Sequence, residues 1–112
     1  MAFQSLSCVG AASELRVSAD LLEKGYYVFR SVSSTCPFDL LAYDQEEEKV
    51  YRIEVKTGTR NVTGQPTPNR KQFKRSWNTK VKFDVLSVYL KSDGTIQHIE
   101  IEPTKGEELK VI

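Results

Sequence analysis

The chain is poor in the residues that staple or cap small folds. Of 112 residues only two are cysteines, Cys8 and Cys36, and one is a histidine, His98. With no CxxC spacing and a lone imidazole, a structural zinc site is not expected and reduced, partly buried thiols are. No apolar run is long enough to span a bilayer. The first ten residues lack both a basic segment and an apolar core, so a secretory leader is not expected. These absences lead to an expectation of an intracellular protein: cytoplasmic, or in the host cytoplasm if of viral origin. No membrane partner and no small-molecule cofactor are expected. The length fits one domain over residues 1–112, with a charged tail at 103–112 that frays.

Acidic residues are also missing from one long stretch. Between Arg60 and Lys82 the charged residues are Arg60, Arg70, Lys71, Lys74, Arg75, Lys80 and Lys82, with no acid among them. The formal net charge is only +1, because acids gather elsewhere, notably at Asp44, Glu46, Glu47 and Glu48. A local basic stretch suits a phosphate backbone. A solvated basic face has the same composition.

Periodicity divides the chain into elements. A helix is expected over residues 10–24, with Ala11, Leu15, Ala19 and Leu22 on one face. Glu14 projects beside Ser18 and Leu21, at the edge of the apolar arc, where a carboxylate needs a partner or a cation. Gly25 suits the residue just past the helix end. Strands follow at 26–30, 38–43 and 49–56, with a polar loop at 31–37 and an acidic hairpin turn at 44–48. Residues 57–68, with Gly58, Gly64, Pro66 and Pro68, read as a loop. Asn69 and Gln72 form a capping box for a second helix to residue 78, with Phe73 and Trp77 on its core face. Asp93-Gly94 turns a last hairpin between strands at 81–91 and 95–101. The expected class is α/β: a mixed central sheet of about five strands flanked by helices, in the order α-β-β-β-α-β-β.

In the third strand Tyr51, Ile53 and Val55 alternate with Arg52, Glu54 and Lys56. Glu54 and Lys56 therefore leave one face together. Such a pair can hold a metal ion and a water against a phosphate, or be a surface ion pair. Asp39 stands in an apolar run, Phe38-Asp39-Leu40-Leu41, where strands disfavour it. On adjacent antiparallel strands Asp39 and Glu54 become neighbours. Two such carboxylates do not both ionise without a cation, and oxygen ligands with retained waters suit Mg²⁺ or Mn²⁺.

Glu14 on a helix, Asp39 opening a strand, and Ile53-Glu54-Val55-Lys56 together resemble the PD-(D/E)xK nuclease superfamily. Archaeal-type Holliday junction resolvases and small phage- or intron-associated endonucleases also share a phrase like Val28-Phe29-Arg30-Ser31 and a serine-rich loop. The resemblance spans residues 10–57, about half the chain, and Pro37-Phe38-Asp39 departs from its usual Pro-Asp pair by an inserted phenylalanine. It implies a restriction-endonuclease-like core and hydrolysis of DNA phosphodiesters by a homodimer. Asp39, Glu54, the Val55 carbonyl and Glu14 would hold Mg²⁺ or Mn²⁺. Lys56 would orient the attacking water and stabilise charge on the phosphate. Arg30, Ser31, Ser33 and Ser34 would contact phosphate, as would Arg60, Arg70, Lys71, Lys74 and Arg75. The 57–68 loop would grip the backbone. The last hairpin, with Val85, Leu86, Val88, Tyr89 and Leu90, is the expected dimer face. A nuclease-fold protein that binds nucleic acid or a protein partner without cutting is the alternative, and a small interaction module a lesser one.

Overall fold

A computed structural model describes residues 5–68 and 82–101. The elements are α1 (Leu6–Glu23), β1 (Tyr27–Arg30), β2 (Leu40–Asp44), β3 (Lys49–Arg60), β4 (Pro66–Pro68), β5 (Val85–Leu90) and β6 (Ile96–Glu100). The expected second helix, with Arg70, Lys71, Gln72, Phe73, Lys74, Arg75 and Trp77, lies outside the described residues, as does the tail from residue 102.

The strands form one mixed sheet in the order β1-β2-β3-β5-β6, and β4 adds to β3 alone. Twelve-residue β3 is its axis. On one side β3 runs parallel to β5, from Ile53 opposite Val85 to Gly58 opposite Leu90. On the other side two antiparallel neighbours share it. β2 covers Lys49 to Ile53, and β4 covers Gly58 to Arg60. Between them the ladder is open opposite Glu54 to Thr57.

This is a correction to the reading of 57–68 as loop, because Thr57–Arg60 continue the strand. Gly58 makes that possible. A Cβ there would lie 2.0 Å from the Thr67 carbonyl oxygen and 2.6 Å from Val88 Cγ1. Pro66 and Pro68 are tolerated in β4 because, among the described residues, no strand pairs with its far side.

α1 begins four residues earlier than expected. Ser5 caps it by accepting the Cys8 amide at 3.2 Å. Gly25 follows the helix at φ 96°, as expected. The buried face is not the expected one. Val17 and Leu21 pack on Leu40, Ala42, Ile53, Val55 and Val85, with Ser13 and Ser18 buried beside them. Leu15 and Leu22 are 54% and 56% exposed, and Ala11 and Ala19 are exposed as well. Polar partners on the sheet choose the face. Ser13 Oγ meets Thr57 Oγ1 at 2.7 Å, and Asp20 meets His98 Nε2 at 2.7 Å. His98 Nδ1 in turn meets the fully buried Ser87 Oγ at 2.7 Å. A helix rotated onto its leucines would break the Ser13–Thr57 and Asp20–His98 bonds, at about 1–3 kcal/mol for each buried group left unpaired.

A second cluster, Phe83, Leu86 and Val88, packs with Phe38, Ile99 and Ile101. The phenylalanine inserted before Asp39 thus has a packing role. All six residues of β5 are buried within the chain. The expected dimer face is corrected accordingly, since Val85, Leu86, Val88, Tyr89 and Leu90 are core. Just before β5, Asp84 accepts three bonds from Arg52: the backbone amide at 2.8 Å, and Nε and Nη2 at 3.1 Å each. Asp84 returns its own amide to the Arg52 carbonyl at 2.8 Å. This exchange sets the parallel register two residues before Glu54.

Gly58→Ala drives a methyl group into the β4 backbone. The expected result is a loss of about 1–3 kcal/mol, as for overpacking, read as a lower denaturant midpoint at unchanged m-value. An unchanged midpoint would show that β4 is not held against Gly58.

Candidate active site

The open stretch of ladder is where the expected site residues gather. Asp39 lies one residue before β2, not within a strand starting at Phe38. Its amide donates to the Ile53 carbonyl at 3.0 Å. Its carboxylate, Oδ2, accepts the Val55 amide at 2.8 Å. Asp39 and Glu54 stay neighbours, and the Asp39 side chain supplies the acceptor that β2 no longer provides. Main-chain groups of one strand residue point to the same side, so the Val55 carbonyl also opens toward Asp39.

Glu54 and Lys56 leave β3 on the same face, as their spacing predicts. Lys56 Nζ stands 3.4 Å from Glu54 Oε1, with the side chains only 21% and 15% exposed. Burial, and then the charge of Asp39, push the Glu54 carboxyl up to about 7, against a smaller opposing pull from Lys56. Glu14 reaches the site from α1, which packs on the other face of β3. It pairs with Arg30 Nη2 at 3.5 Å. Its pKa is also raised, by burial first and by Asp39 second. Asp39 is thus the shared neighbour of both glutamates. The open ladder lets carboxylates from opposite faces of β3 converge on it.

Among the described residues no three His, Cys, Asp or Glu side chains close into a ready-made metal cluster. The donor set is sparser: two facing carboxylates and a backbone carbonyl, with Glu14 one step out. That set fits a hard cation that keeps several waters, as Mg²⁺ does. The raised Glu54 carboxyl is the sign of fit, since a cation there removes the conflict that holds the proton on.

Other expected contacts are distributed less evenly. Ser31 sits at the rim, its amide donating to the Asp39 carbonyl at 3.3 Å. Ser33 holds its own loop, through Thr35 Oγ1 at 2.7 Å and the Thr35 amide at 3.2 Å, and Ser34 is exposed. Arg60, expected on a phosphate, is directed elsewhere. Its guanidinium donates to the Gly64 carbonyl at 2.7 Å, to Thr95 Oγ1 at 3.1 Å and to the Asp93 carboxylate. Those bonds hold Asp93 well below the usual carboxylate range, at about 2. The Arg52–Asp84 clamp is a site-supporting feature missed in the sequence. Only the contrast of Arg52 with its apolar neighbours hinted at a partner.

A family model for PD-(D/E)XK endonucleases matches residues 6–111. The chain belongs to the PD-(D/E)XK endonuclease family. No curated protein matches it. Among solved structures it is similar to a bacterial homing endonuclease, I-Ssp6803I, with a TM-score of 0.59 and 14% identity over 96% of this chain and 85% of that one. At that identity the likeness concerns the fold alone.

Glu54 titrating near 7 gives the folded, metal-free protein more bound protons than the unfolded chain between pH 4.5 and about 7. Stability is therefore full below the unfolded value and falls as pH rises through this window. Carboxyl-resolved NMR should show Glu54 titrating near 7, and Asp39→Asn should lower it. Saturating Mg²⁺ should flatten the pH dependence of Tm across the same window. A Glu54 titration in the ordinary carboxylate range would sink this account.

Proposed function

We propose that the chain is a Mg²⁺- or Mn²⁺-dependent endonuclease that hydrolyses DNA phosphodiester bonds at Asp39, Glu54 and Lys56. The observation that carries this is the convergence of a strained carboxylate pair and a lysine in an opening of the sheet ladder. Asp39 and Glu54, with the Val55 carbonyl, would hold the ion. When bound it supplies charge to polarise the scissile phosphate and lowers the pKa of a coordinated water. With a cation balancing the Glu54 carboxylate, Lys56 Nζ, 3.4 Å from Glu54 Oε1, would be left to serve the substrate. Lys56 Nζ then donates to the attacking water and to the non-bridging oxygens as negative charge builds on phosphorus. Glu14 accepts from waters around the ion while Arg30 holds it in place. Ser31 and Arg30 line the approach to the phosphate.

One chain carries one such site, so cutting both strands requires two copies, and we propose a homodimer on duplex DNA. The structural neighbour's description as a homing endonuclease favours a defined duplex site over a four-way junction.

Cleavage of a panel of duplex, four-way junction, flap and single-stranded DNA tests the proposal. Wild type with Mg²⁺ or Mn²⁺ should cut duplex, and EDTA should abolish cutting. Asp39→Ala, Glu54→Ala and Lys56→Ala should each lower the rate about 10²-fold or more, with DNA binding retained. Cleavage that survives Glu54→Ala would remove the site from consideration. Preferential cutting of the junction would overturn the choice of duplex.

A further inference from the structure

The ribbon formed by β3 and β4 continues directly from the strand that carries Glu54 and Lys56, and projects past the opening in the ladder. We propose that this ribbon reads base edges in the major groove of duplex DNA to one side of the cut. The proposal rests on the nuclease reading of the neighbouring site.

Composition separates base reading from backbone gripping. A segment that neutralises phosphate charge needs Lys and Arg. From Thr57 to Pro68 there is one charged residue, Arg60, and its guanidinium is engaged by Asp93, Thr95 and the Gly64 carbonyl. The rest of the ribbon offers hydroxyls, amides and one apolar group: Thr59, Asn61, Val62, Thr63, Gln65 and Thr67. These are the groups that pair with base edges and with the thymine methyl.

The ribbon is also held ready. Asn61 Oδ1 accepts from the Thr63 amide at 3.0 Å, Thr63 Oγ1 at 2.7 Å and the Gln65 amide at 2.9 Å. Gly64 closes the turn at φ 84°. Arg60 braces the ribbon against the β5–β6 turn. Asn61 and Arg60 are therefore positioning residues. The side chains left to read are Thr59, Val62 and Gln65. Val62 is fully exposed, an apolar group facing water with no packing partner among the described residues. Gln65 is exposed, and its side chain makes no hydrogen bond among the described residues.

Dimensions commit the partner to B-form DNA. A two-stranded ribbon enters the major groove of B-DNA, about 12 Å wide, whereas the A-form major groove does not admit side chains. The five to seven residues from Lys56 or Glu54 to Asn61 span about 17–23 Å at roughly 3.3 Å per residue. At about 3.4 Å per base pair, the tip falls about five to seven base pairs from the scissile phosphate.

The test uses the full chain and duplexes randomised over about ten base pairs on each side of the cut. Bound and cleaved pools are sequenced for wild type, Gln65→Ala, Val62→Ala and Thr59→Ala, with melting curves to confirm folding. Wild type should show base preference in a block about five to seven pairs from the cut. Gln65→Ala should weaken one position of that block about tenfold, and Val62→Ala should weaken a thymine preference. Identical preferences in wild type and variants would overturn the proposal. So would equal weakening on every sequence, the mark of a phosphate contact, or preference for double-stranded RNA. If wild type binds with the predicted preferences but cuts nothing, the ribbon reading stands and the nuclease reading falls.

Discussion

The hydrogen bond from the Val55 amide to the Asp39 carboxylate, at 2.8 Å, is the contact on which the rest of the site depends. It ends β2 by replacing a main-chain acceptor with a side chain. It also fixes an acid at the point where the strand loses its neighbour. Glu54 and Glu14 come from opposite faces of the sheet, and both feel Asp39. A continuous ladder would have kept them apart, because the pleat sends alternate residues to opposite sides.

The opening survives because β3 is held firmly elsewhere. On one side the parallel pairing with β5 is locked at its start by the Arg52–Asp84 exchange. At the far end Gly58 lets β4 approach to a distance no side chain allows. Ser13 ties α1 to Thr57 at the edge of the opening. The strand is thus fixed before and after the residues proposed to do the chemistry, which keeps the orientation of Glu54 and Lys56 from drifting. Such fixing matters because electrostatic stabilisation works only when the groups are aimed in advance.

Away from the site, polar contacts overrule hydrophobic pattern. His98 bridges Ser87 and Asp20 across the sheet and helix. Nothing in its local sequence marks it, and it reads there as structural or exposed. Together with Ser13 it turns α1 so that Leu15 and Leu22 face water. An angular count of apolar residues cannot find this, since the deciding partners lie 44 and 78 positions away in sequence. The same holds for β4. Two prolines and a glycine read as a loop until the facing strand is known to have room for them.

The sequence by itself determined the chemistry on offer. Alternation around Glu54 and Lys56 settles that they share a face. The misfit of Asp39 in an apolar run marks it as more than packing, and the order of elements points to the family fold. Tertiary structure decided how these residues are used. It tied the Asp39 carboxylate to the Val55 amide beside Glu54, turned Arg60 from a free cation into a brace, and buried the strand that looked like a dimer face. The reason is physical: spacing along a strand is a local property of the pleat, whereas which backbone groups go unpaired, and which charges meet, is set by strands that are far apart in the chain.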